Sequence, residues 1–169
     1  MTAVSGMREM RIRTAAMADL QAIAAVEAEC FPPAEAATQA ELEQRLAVYP
    51  DHFWLLFDGD KLVSFVDGMV TNDACLQDEM FEDASLHRED GAWQMIFGVN
   101  TLPDYRKQGC AERLLRRAIE DARAQGRRGL VLTCKEALLH YYGKLGFVNR
   151  GKSPSVHGGA VWYEMRLTF

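Results

Sequence analysis

A basic run that contains a glycine has the residue types needed to bind a multiply charged anion. The run, residues 103–111, carries Arg106, Lys107 and Gly109, and it precedes a segment with helical periodicity. The first amides of a helix have no partner within the helix and lie at the positive end of its dipole. Glycine lets a main chain approach a ligand closely, because it has no Cβ atom. The run therefore predicts a diphosphate-binding site at the start of a helix.

The segments on either side of this run would place it between a strand and a helix. Residues 93–101 are apolar and rich in strand-forming types, and Gly98 within them indicates a bulge or a close backbone approach. In residues 112–124 apolar side chains recur at i, i+3 and i+4, and Gly126 is suited to end a helix. We predict that the central strand of a sheet leads through the run into a long amphipathic helix.

The rest of the chain alternates between strand and helix patterns. Further strands are predicted at residues 10–13, 53–57, 62–70, 130–133, 147–150 and 160–167. Further helices are predicted at residues 17–30, 37–48 and 136–144, and residues 71–91 are predicted as a long loop with a short helix near residues 78–81. This order predicts a mixed sheet flanked by helices.

Composition and charge limit the class of protein. The chain has 169 residues, 49% of them hydrophobic, which suits one domain, predicted at residues 7–169 after a flexible tail at residues 1–6. It contains no apolar run long enough to span a membrane and no signal-peptide pattern, and its four cysteines lack metal-type spacing. We expect a reduced cytoplasmic protein with no metal and no membrane partner. The net charge of −5 argues against nucleic-acid binding, and the sequence leaves a homodimer open.

Three segments resemble a known enzyme family. Arg106-x-x-Gly109-x-Ala111 is similar to the Gln/Arg-x-x-Gly-x-Gly/Ala signature of GNAT-type acetyltransferases, in which this loop binds the pyrophosphate of acetyl-CoA. Residues 141–147, Tyr-Tyr-Gly-Lys-Leu-Gly-Phe, resemble the Tyr-x-Lys-x-Gly-Phe segment of that family. Residues 153–163 are most similar to its arylalkylamine/polyamine N-acetyltransferase-like branch. The resemblance covers nearly the whole chain.

The resemblance implies both a fold and a reaction. The fold would be a single α/β (α+β) GNAT-like domain, with a mixed and mostly antiparallel sheet, flanking helices and a splayed central strand. The reaction would be direct transfer of the acetyl group of acetyl-CoA to a primary amine of a small molecule, of arylalkylamine or polyamine type. A basic stretch at residues 106–128 and an acidic stretch at residues 71–90 agree with a polyanionic cofactor and a cationic acceptor.

The resemblance also implies which residues bind the cofactor. The pantetheine arm would add to the splayed strand, with the Val99 N–H on the thioester carbonyl and Thr101 against the pantetheine. The implied cofactor-binding residues are Val99, Asn100, Thr101, Arg106, Lys107, Gln108, Gly109, Cys110, Ala111, Glu112 and Tyr142.

A tyrosine in the second motif is the predicted general acid. A phenol can protonate a departing thiolate or donate a hydrogen bond to it. In the resembling family, the tyrosine that matches Tyr142 lies beside the CoA sulfur. From the residues alone, Tyr141 is an equal rival, and the family pattern favours Tyr142.

A base is also expected, because a primary alkylammonium has a pKa near ~10.4 and is not nucleophilic at neutral pH. The vertebrate arylalkylamine enzymes carry two histidines on the central strand, where this sequence has Met95 and Phe97, so that proton route is absent. Similar insect enzymes place a glutamate in the loop after the first helix, and this position favours Glu35. The alternatives are Glu29, Glu79 and His157.

The acceptor cleft is predicted at two separate segments. The residues expected to line it are Phe31, Pro32, Ser153, Ser155 and His157. Two other functions stay open on the same fold, since a fold does not fix a function. One is acetylation of a protein N-terminus or lysine, and the other is a non-catalytic acyl-CoA-binding module.

Overall fold

Nine strands and five α-helices make up the part of the chain that the structure describes, residues 10–169 of a computed structural model. The predicted tail, residues 1–6, and the first residues of the predicted domain, 7–9, lie outside the described residues. The strands are β1 (Met10–Thr14), β2 (Phe53–Asp58), β3 (Lys61–Asp67), β4 (Val70–Thr71), β5 (Trp93–Ile96), β6 (Gly98–Thr101), β7 (Gly129–Cys134), β8 (Val148–Lys152) and β9 (Tyr163–Thr168). The helices are α1 (Leu20–Cys30), α2 (Gln39–Val48), α3 (Glu79–Glu82), α4 (Cys110–Ala124) and α5 (Leu139–Gly143).

The strands form two sheets with mostly antiparallel pairing. One sheet has the order β1-β2-β3-β6, and the other has the order β4-β5-β7-β9-β8. Among the described strands, only β5 and β7 pair in parallel. The fold is therefore the mixed α/β arrangement, mostly antiparallel and flanked by helices, that the sequence predicts. None of the described helices combines the length and the apolar character needed to cross a bilayer.

The predicted central strand, residues 93–101, is broken at Phe97. Its first half, β5, pairs with β7, whereas its second half, β6, pairs with β3 and ends the other sheet. One edge of β6 consequently has no strand partner within residues 10–169. The two halves diverge, and a cleft opens between β6 and the end of β7. The prediction of a splayed central strand is confirmed.

Gly98 lies at this break because neighbouring side chains fill the space that a Cβ atom would need. A Cβ built on Gly98 would lie 2.9 Å from Asp67 Oδ1 and 2.9 Å from Asn100 Nδ2. The sequence predicts a close approach at Gly98, and that prediction is confirmed, although side chains and not a neighbouring backbone make the contact.

Two helices flank the broken strand. α1 packs on β3 and β6 through Ile23 and Val26, and α4 packs on β2, β3 and β7 through residues such as Leu114. α4 begins at Cys110, two residues before its predicted start, directly after Gly109 with a left-handed φ of +80°. The fold thus brings the start of α4 and the end of α1 to the same cleft.

Candidate active site

The cleft at the broken strand contains two adjoining cavities. The first, which we name the helix-end cavity, has a volume of about 530 Å³ and lies at the start of α4. The second, the aromatic cavity, has a volume of about 320 Å³ and lies among α1, α2 and the ends of β5 and β7. Both cavities are lined by Cys30, Phe31, Val99, Leu138 and Tyr142. A ligand in one cavity would therefore meet a ligand in the other at this shared wall.

The helix-end cavity presents main-chain amides. The first helical hydrogen bond of α4 runs from the Arg113 N–H to the Gly109 carbonyl, at 3.0 Å, so the preceding amides have no partner within the helix. Gly109, at the N-cap, supplies no side chain to cap them. Arg106 and Lys107 also line the cavity, and Arg106 Nε donates to the Thr101 carbonyl at 3.1 Å. The arrangement is suited to an anion with several oxygens.

Most of the predicted cofactor-binding residues line this cavity, and two do not. The lining includes Val99, Thr101, Arg106, Lys107, Gly109, Cys110, Ala111, Glu112 and Tyr142. Asn100 is fully buried on β6, with its side chain turned toward Gly98. Gln108 donates from Nε2 to the Asp104 carbonyl at 3.1 Å.

Tyr142 lies in the wall that the two cavities share. Its side chain is buried against Tyr141 and Phe147, with ring centroids 5.1 Å and 6.1 Å away. Burial raises the pKa of the Tyr142 phenol well above its ordinary value, so the hydroxyl keeps its proton at neutral pH. No hydrogen bond to this hydroxyl is found within residues 10–169, which leaves it free to donate into the cleft.

A row of rings forms one wall of the aromatic cavity. Phe97, Phe81, His157 and Trp162 follow one another with centroid separations of 4.5, 5.1 and 6.1 Å. These rings come from the broken strand, from α3 and from residues 157–162. Flat apolar groups pack well against such a wall, and cations are attracted to ring faces.

The predicted acceptor-cleft residues divide into two groups. Phe31, Pro32 and His157 line the aromatic cavity. Ser153 and Ser155 do not, and instead they shape the loop that carries His157. Ser155 Oγ donates to the Asp78 carboxylate, and Ser153 Oγ accepts the Ser155 N–H at 3.1 Å.

Glu27 supplies a buried carboxyl group to the aromatic cavity. It is 5% exposed, and its Oε2 accepts the Ala37 N–H at 2.9 Å. Burial, followed by the charge of Asp67, raises the pKa of the Glu27 carboxyl to about 7. At neutral pH this group is close to half ionised, which suits it to accepting and releasing a proton.

Glu35, the predicted base, also lines the aromatic cavity and is held in an ion pair. Its Oε2 lies 2.9 Å from Lys135 Nζ, and its main-chain oxygen is 2.9 Å from His157 Nε2. The alternatives Glu29 and Glu79 are exposed and line neither cavity. The carboxylates of the aromatic cavity are thus Glu27, Glu35, Glu41 and Glu82.

Both basic side chains that line the aromatic cavity are paired. Arg45 Nη1 donates to Asp67 Oδ2 at 3.0 Å, and Lys135 binds Glu35. Within the described lining, no guanidinium or ammonium is left without a carboxylate partner. The cavity therefore favours a cationic ligand over an anionic one.

A second cluster of titratable groups, His52, His87 and Glu89, lies away from the cleft, with its donor atoms within 4.8 Å of one another. Gln94 Nε2 donates to main-chain carbonyls, so its oxygen faces His52 Nδ1 at 2.9 Å and accepts that proton. His87 Nδ1 accepts the Val70 N–H at 3.0 Å, so the proton of His87 is on Nε2 and points at Glu89. These hydrogen bonds account for Nδ1 of His52 and for both ring nitrogens of His87, and His52 Nε2 lies 3.0 Å from Glu89 Oε1.

The family of the chain follows from a comparison with known sequences. Residues 20–147, more than half of the chain, match the sequence model of the acetyltransferase (GNAT) family. The chain belongs to this family. The strand break and the helix-end cavity are accordingly parts of an acyl-CoA-binding GNAT fold.

Solved structures share this fold at low sequence identity. The loading GNATL domain of CurA from Lyngbya majuscula is 19% identical, with a TM-score of 0.79 over 94% of this chain and 97% of that one. The GphF GNAT-like decarboxylase in complex with isobutyryl-CoA is 23% identical, with a TM-score of 0.78 over 94% and 98%. An alanine N-acetyltransferase for a ribosomal protein, from Escherichia coli, is 18% identical, with a TM-score of 0.70 over 94% and 93%. At these identities the likeness concerns the fold alone.

Three buried charged residues at or directly behind the aromatic cavity are absent from the sequence-based site. They are Glu27, Arg45 and Asp67. For the two that lie on helices, the available signal was a charged residue at a core position of an amphipathic helix. Glu27 follows buried Ile23 by four residues, and Arg45 follows buried Leu42 by three. Such a pattern indicates a buried charge, although it does not say what the charge does.

Proposed function

We propose that this GNAT acetyltransferase moves the acetyl group of acetyl-CoA to a primary amine of a small molecule, of arylalkylamine or polyamine type. The observation that carries the proposal is the meeting of two unlike cavities at Tyr142. One cavity offers amides and basic side chains, and the other offers aromatic rings and carboxylates. Their shared wall is where a thioester and an amine would come together.

Acetyl-CoA would occupy the helix-end cavity. Its diphosphate fits the amides from Lys107 to Glu112, and its pantetheine arm fits the free edge of β6 at Val99 and Thr101. The similar GphF structure contains isobutyryl-CoA, which supports a ligand of this class in the same fold.

The acceptor would enter the aromatic cavity as an ammonium ion. Glu27 attracts the cation, and the rings of Phe81, Phe97 and Trp162 offer apolar surface to the rest of the molecule. Since Arg45 and Lys135 are already paired, an α-carboxylate would find no free cation there. The cavity is therefore suited to amines and not to the corresponding amino acids.

The residues suggest a direct transfer. Glu27 takes a proton from the ammonium, and the neutral nitrogen attacks the thioester carbonyl carbon while the Val99 N–H stabilises the oxyanion. The C–S bond then breaks, and the Tyr142 hydroxyl protonates the thiolate. Of the two protons lost by nitrogen, one restores Tyr142 and one leaves through Glu27 to water. The products are the N-acetylated amine and CoA.

Acetylation of a protein N-terminus is the competing reaction, and one E. coli protein of similar fold is an alanine N-acetyltransferase for a ribosomal protein. An extended peptide needs an open channel to the amine. Here His157 and Trp162 line the aromatic cavity, and His157 lies against the Glu35 main chain. A Cβ on Gly158 would lie 2.6 Å from Glu35 Cγ. This tight contact favours a small acceptor.

Decarboxylation, the activity of the GphF protein, is less well supported by the residues of this chain. An acyl group with a free carboxylate would lie among the carboxylates of the aromatic cavity, with no unpaired cation in the described lining. Repulsion between like charges would weaken its binding.

The test is a turnover assay with acetyl-CoA and a panel of acceptors, read out by mass spectrometry. The panel contains arylalkylamines, polyamines, aromatic amino acids and peptides with free N-termini, and malonyl-CoA is supplied alone in a parallel assay. We expect acetylation of at least one amine, much weaker acetylation of the matching amino acid, and no loss of CO₂ from malonyl-CoA. Acetylation of peptides alone, or CoA binding without any transfer, would overturn the proposal.

A further inference from the structure

A group of buried charges lies directly behind the aromatic cavity. It consists of Glu27, Arg45 and Asp67, which are 5%, 4% and 0% exposed. Glu27 and Arg45 reach the cavity, whereas Asp67 is not part of its lining. The group thus contains two carboxyl groups and one guanidinium, shielded from water.

The guanidinium of Arg45 bonds to Asp67 and makes no hydrogen bond to Glu27. Arg45 Nη1 donates to Asp67 Oδ2 at 3.0 Å, and Nη2 donates to the Phe81 carbonyl at 2.9 Å. The guanidinium also lies over the ring of Phe97, 5.1 Å from its centroid. With both carboxyl groups ionised, the group would carry an uncompensated negative charge. Such a charge is costly in a medium that excludes water.

The two carboxyl groups approach each other at Gly98. A Cβ on this residue would lie 2.9 Å from Asp67 Oδ1 and 3.6 Å from Glu27 Oε1, so both oxygens face the same α-carbon. Asp67 Oδ1 and the amide of Asn100 have no hydrogen-bond partner within the described residues. On the side that faces Glu27, the charge of Asp67 is opposed by dipoles and not by a full positive charge: the Gly98 N–H lowers the pKa of Asp67, and the Asn100 side chain lowers that of Glu27.

On the basis of the proposed acetyl transfer, we propose that Asp67 is a positioning residue for the base. It touches neither acetyl-CoA nor the acceptor, and its buried negative charge makes the Glu27 carboxylate basic enough to take the proton of the amine. Arg45 holds Asp67 in place through the hydrogen bond to Oδ2 and favours its ionised form, because a guanidinium keeps its positive charge in proteins.

The neighbouring titratable groups agree with this arrangement. Burial raises the pKa of Asp67, and the bonded Arg45 opposes that effect. For Glu27, the charge of Asp67 raises the pKa and that of Arg45 lowers it. Tyr49 and Cys30 also face the group, and burial raises the pKa of both, so both are neutral near pH 7. The remaining titratable groups of the aromatic cavity are Glu35, Glu41, Glu82, Cys134, Lys135, Tyr142 and His157.

The experiment follows the side-chain carboxyl carbon of Glu27 by ¹³C NMR during a pH titration of the unliganded protein. Glu27→Gln identifies the signal. In the wild type we expect a midpoint near the value of about 7 given by its surroundings. In Asp67→Asn we expect the midpoint to fall by about one unit or more, since removal of a nearby like charge has effects of this size. The rising limb of kcat/KM against pH should move with it.

Asp67→Asn leaves Arg45 without a charged partner, so the double variant Asp67→Asn/Arg45→Gln provides a pair in which both charges are removed. Its Glu27 midpoint should also lie below that of the wild type, because Asp67 affects Glu27 more than Arg45 does. A wild-type midpoint near 4.5, or an unchanged midpoint in both variants, would overturn the inference. The titration needs no acceptor, so it is independent of the acceptor panel. If the protein acetylates amines but the Glu27 midpoint shifts in neither variant, only the role of Asp67 is refuted and the proposed acetyl transfer stands.

Discussion

The helix-end cavity and the aromatic cavity share a wall, yet they are built differently. The helix-end cavity comes largely from one stretch of chain, residues 99–112, and it presents main-chain amides. The aromatic cavity is assembled from five distant segments and presents side chains. Those segments are residues 27–45, 81–82, 96–99, 132–142 and 157–162.

This contrast separates two tasks. A cofactor with a fixed diphosphate can be held by backbone geometry, which needs a glycine and a helix start and tolerates many side chains. An acceptor is selected by ring positions and charge, which depend on individual residues. Side-chain substitutions in the aromatic cavity and at the shared wall should therefore have large effects on activity. In the helix-end cavity, comparably large effects should need a change of backbone conformation.

The largest effect is expected at Glu27, because the aromatic cavity depends on individual side chains and Glu27 is the proposed base. Glu27→Gln keeps the size of the side chain but removes the base, so kcat should fall about a hundredfold or more. Wild-type activity should rise with pH through about 7, because Glu27 must be ionised to accept a proton, and the variant should lose this rise. The affinity for CoA should not change. Rate profiles and calorimetry measure these quantities, and Glu29→Gln, exposed on the same helix, is the matched control.

The same substitution should change stability in a pH-dependent way. The folded Glu27 has a pKa of about 7, against an ordinary value of 4.5, so the native state binds more protons than the unfolded state between these values. Wild-type stability therefore falls as pH rises through this window, whereas Gln carries no charge. The free energy of unfolding of Glu27→Gln, relative to that of the wild type, should therefore rise by roughly 3 kcal/mol at most between pH 4 and pH 8. Urea unfolding at both pH values tests this. If the variant and the wild type differ in unfolding free energy by the same amount at pH 4 and at pH 8, the raised pKa of Glu27 is contradicted.

At the shared wall, Tyr142→Phe should lower kcat toward the lower end of the range for a general acid, about a hundredfold, because a CoA thiol is a fairly good leaving group. The ring packing stays, so CoA affinity and the melting temperature should hardly move. Tyr141→Phe is the internal control and should be mild. A Tyr142→Phe enzyme with wild-type kcat, under conditions where chemistry limits the rate, would make Tyr142 a packing residue.

In the helix-end cavity, the informative change is Gly109→Val. A left-handed φ costs a residue with a Cβ about 1–2 kcal/mol, and the new side chain would also face the diphosphate. We expect CoA to bind about tenfold more weakly or worse, measured by calorimetry. Gly126→Val is a close control, since Gly126 has a φ of +78° just beyond the other end of α4 and equally open surroundings. If both variants weaken CoA binding equally, loss of the helix explains the effect and the diphosphate site is not at Gly109.

The sequence predicted the parts of the molecule that local patterns determine. Glycines at 98, 109 and 126, the periodicity of α4 and the alternation of strands and helices predicted a mixed sheet flanked by helices and an anion site at the start of α4, and the resemblance to GNAT acetyltransferases implied most of the residues that line the helix-end cavity. The break at Phe97 was expected only as a bulge or close approach. A break depends on which strands β5 and β6 choose as partners, and those partners are distant in sequence.

The aromatic cavity was less accessible to sequence reasoning for the same physical reason. The sequence placed Phe81 only at the end of a short helix within a loop. Phe97 was noted only because the vertebrate arylalkylamine enzymes have a histidine at that position of the central strand. Nothing local indicated that their rings would lie 4.5 Å apart. The pKa of Glu27 depends on burial and on Asp67, forty positions away in the chain. Such an effect requires knowledge of three-dimensional contacts.

The smallest effect is expected at Glu35, where the sequence and the structure favour different bases. Glu35 is paired with Lys135 on a partly exposed side chain, and such pairs contribute little, typically below about 1 kcal/mol. Glu35→Gln should therefore change kcat only a few fold and leave the rise of activity near pH 7 in place, whereas KM for the acceptor should shift modestly because the ion pair with Lys135 in the cavity lining is lost. Lys135→Met, which breaks the same pair from the other side, should produce a similar small change in KM. The decisive measurement is the pH profile of both variants beside Glu27→Gln. If Glu35→Gln removes the rise and Glu27→Gln keeps it, Glu35 is the base, and the buried carboxyl at Glu27 serves only to attract the ammonium.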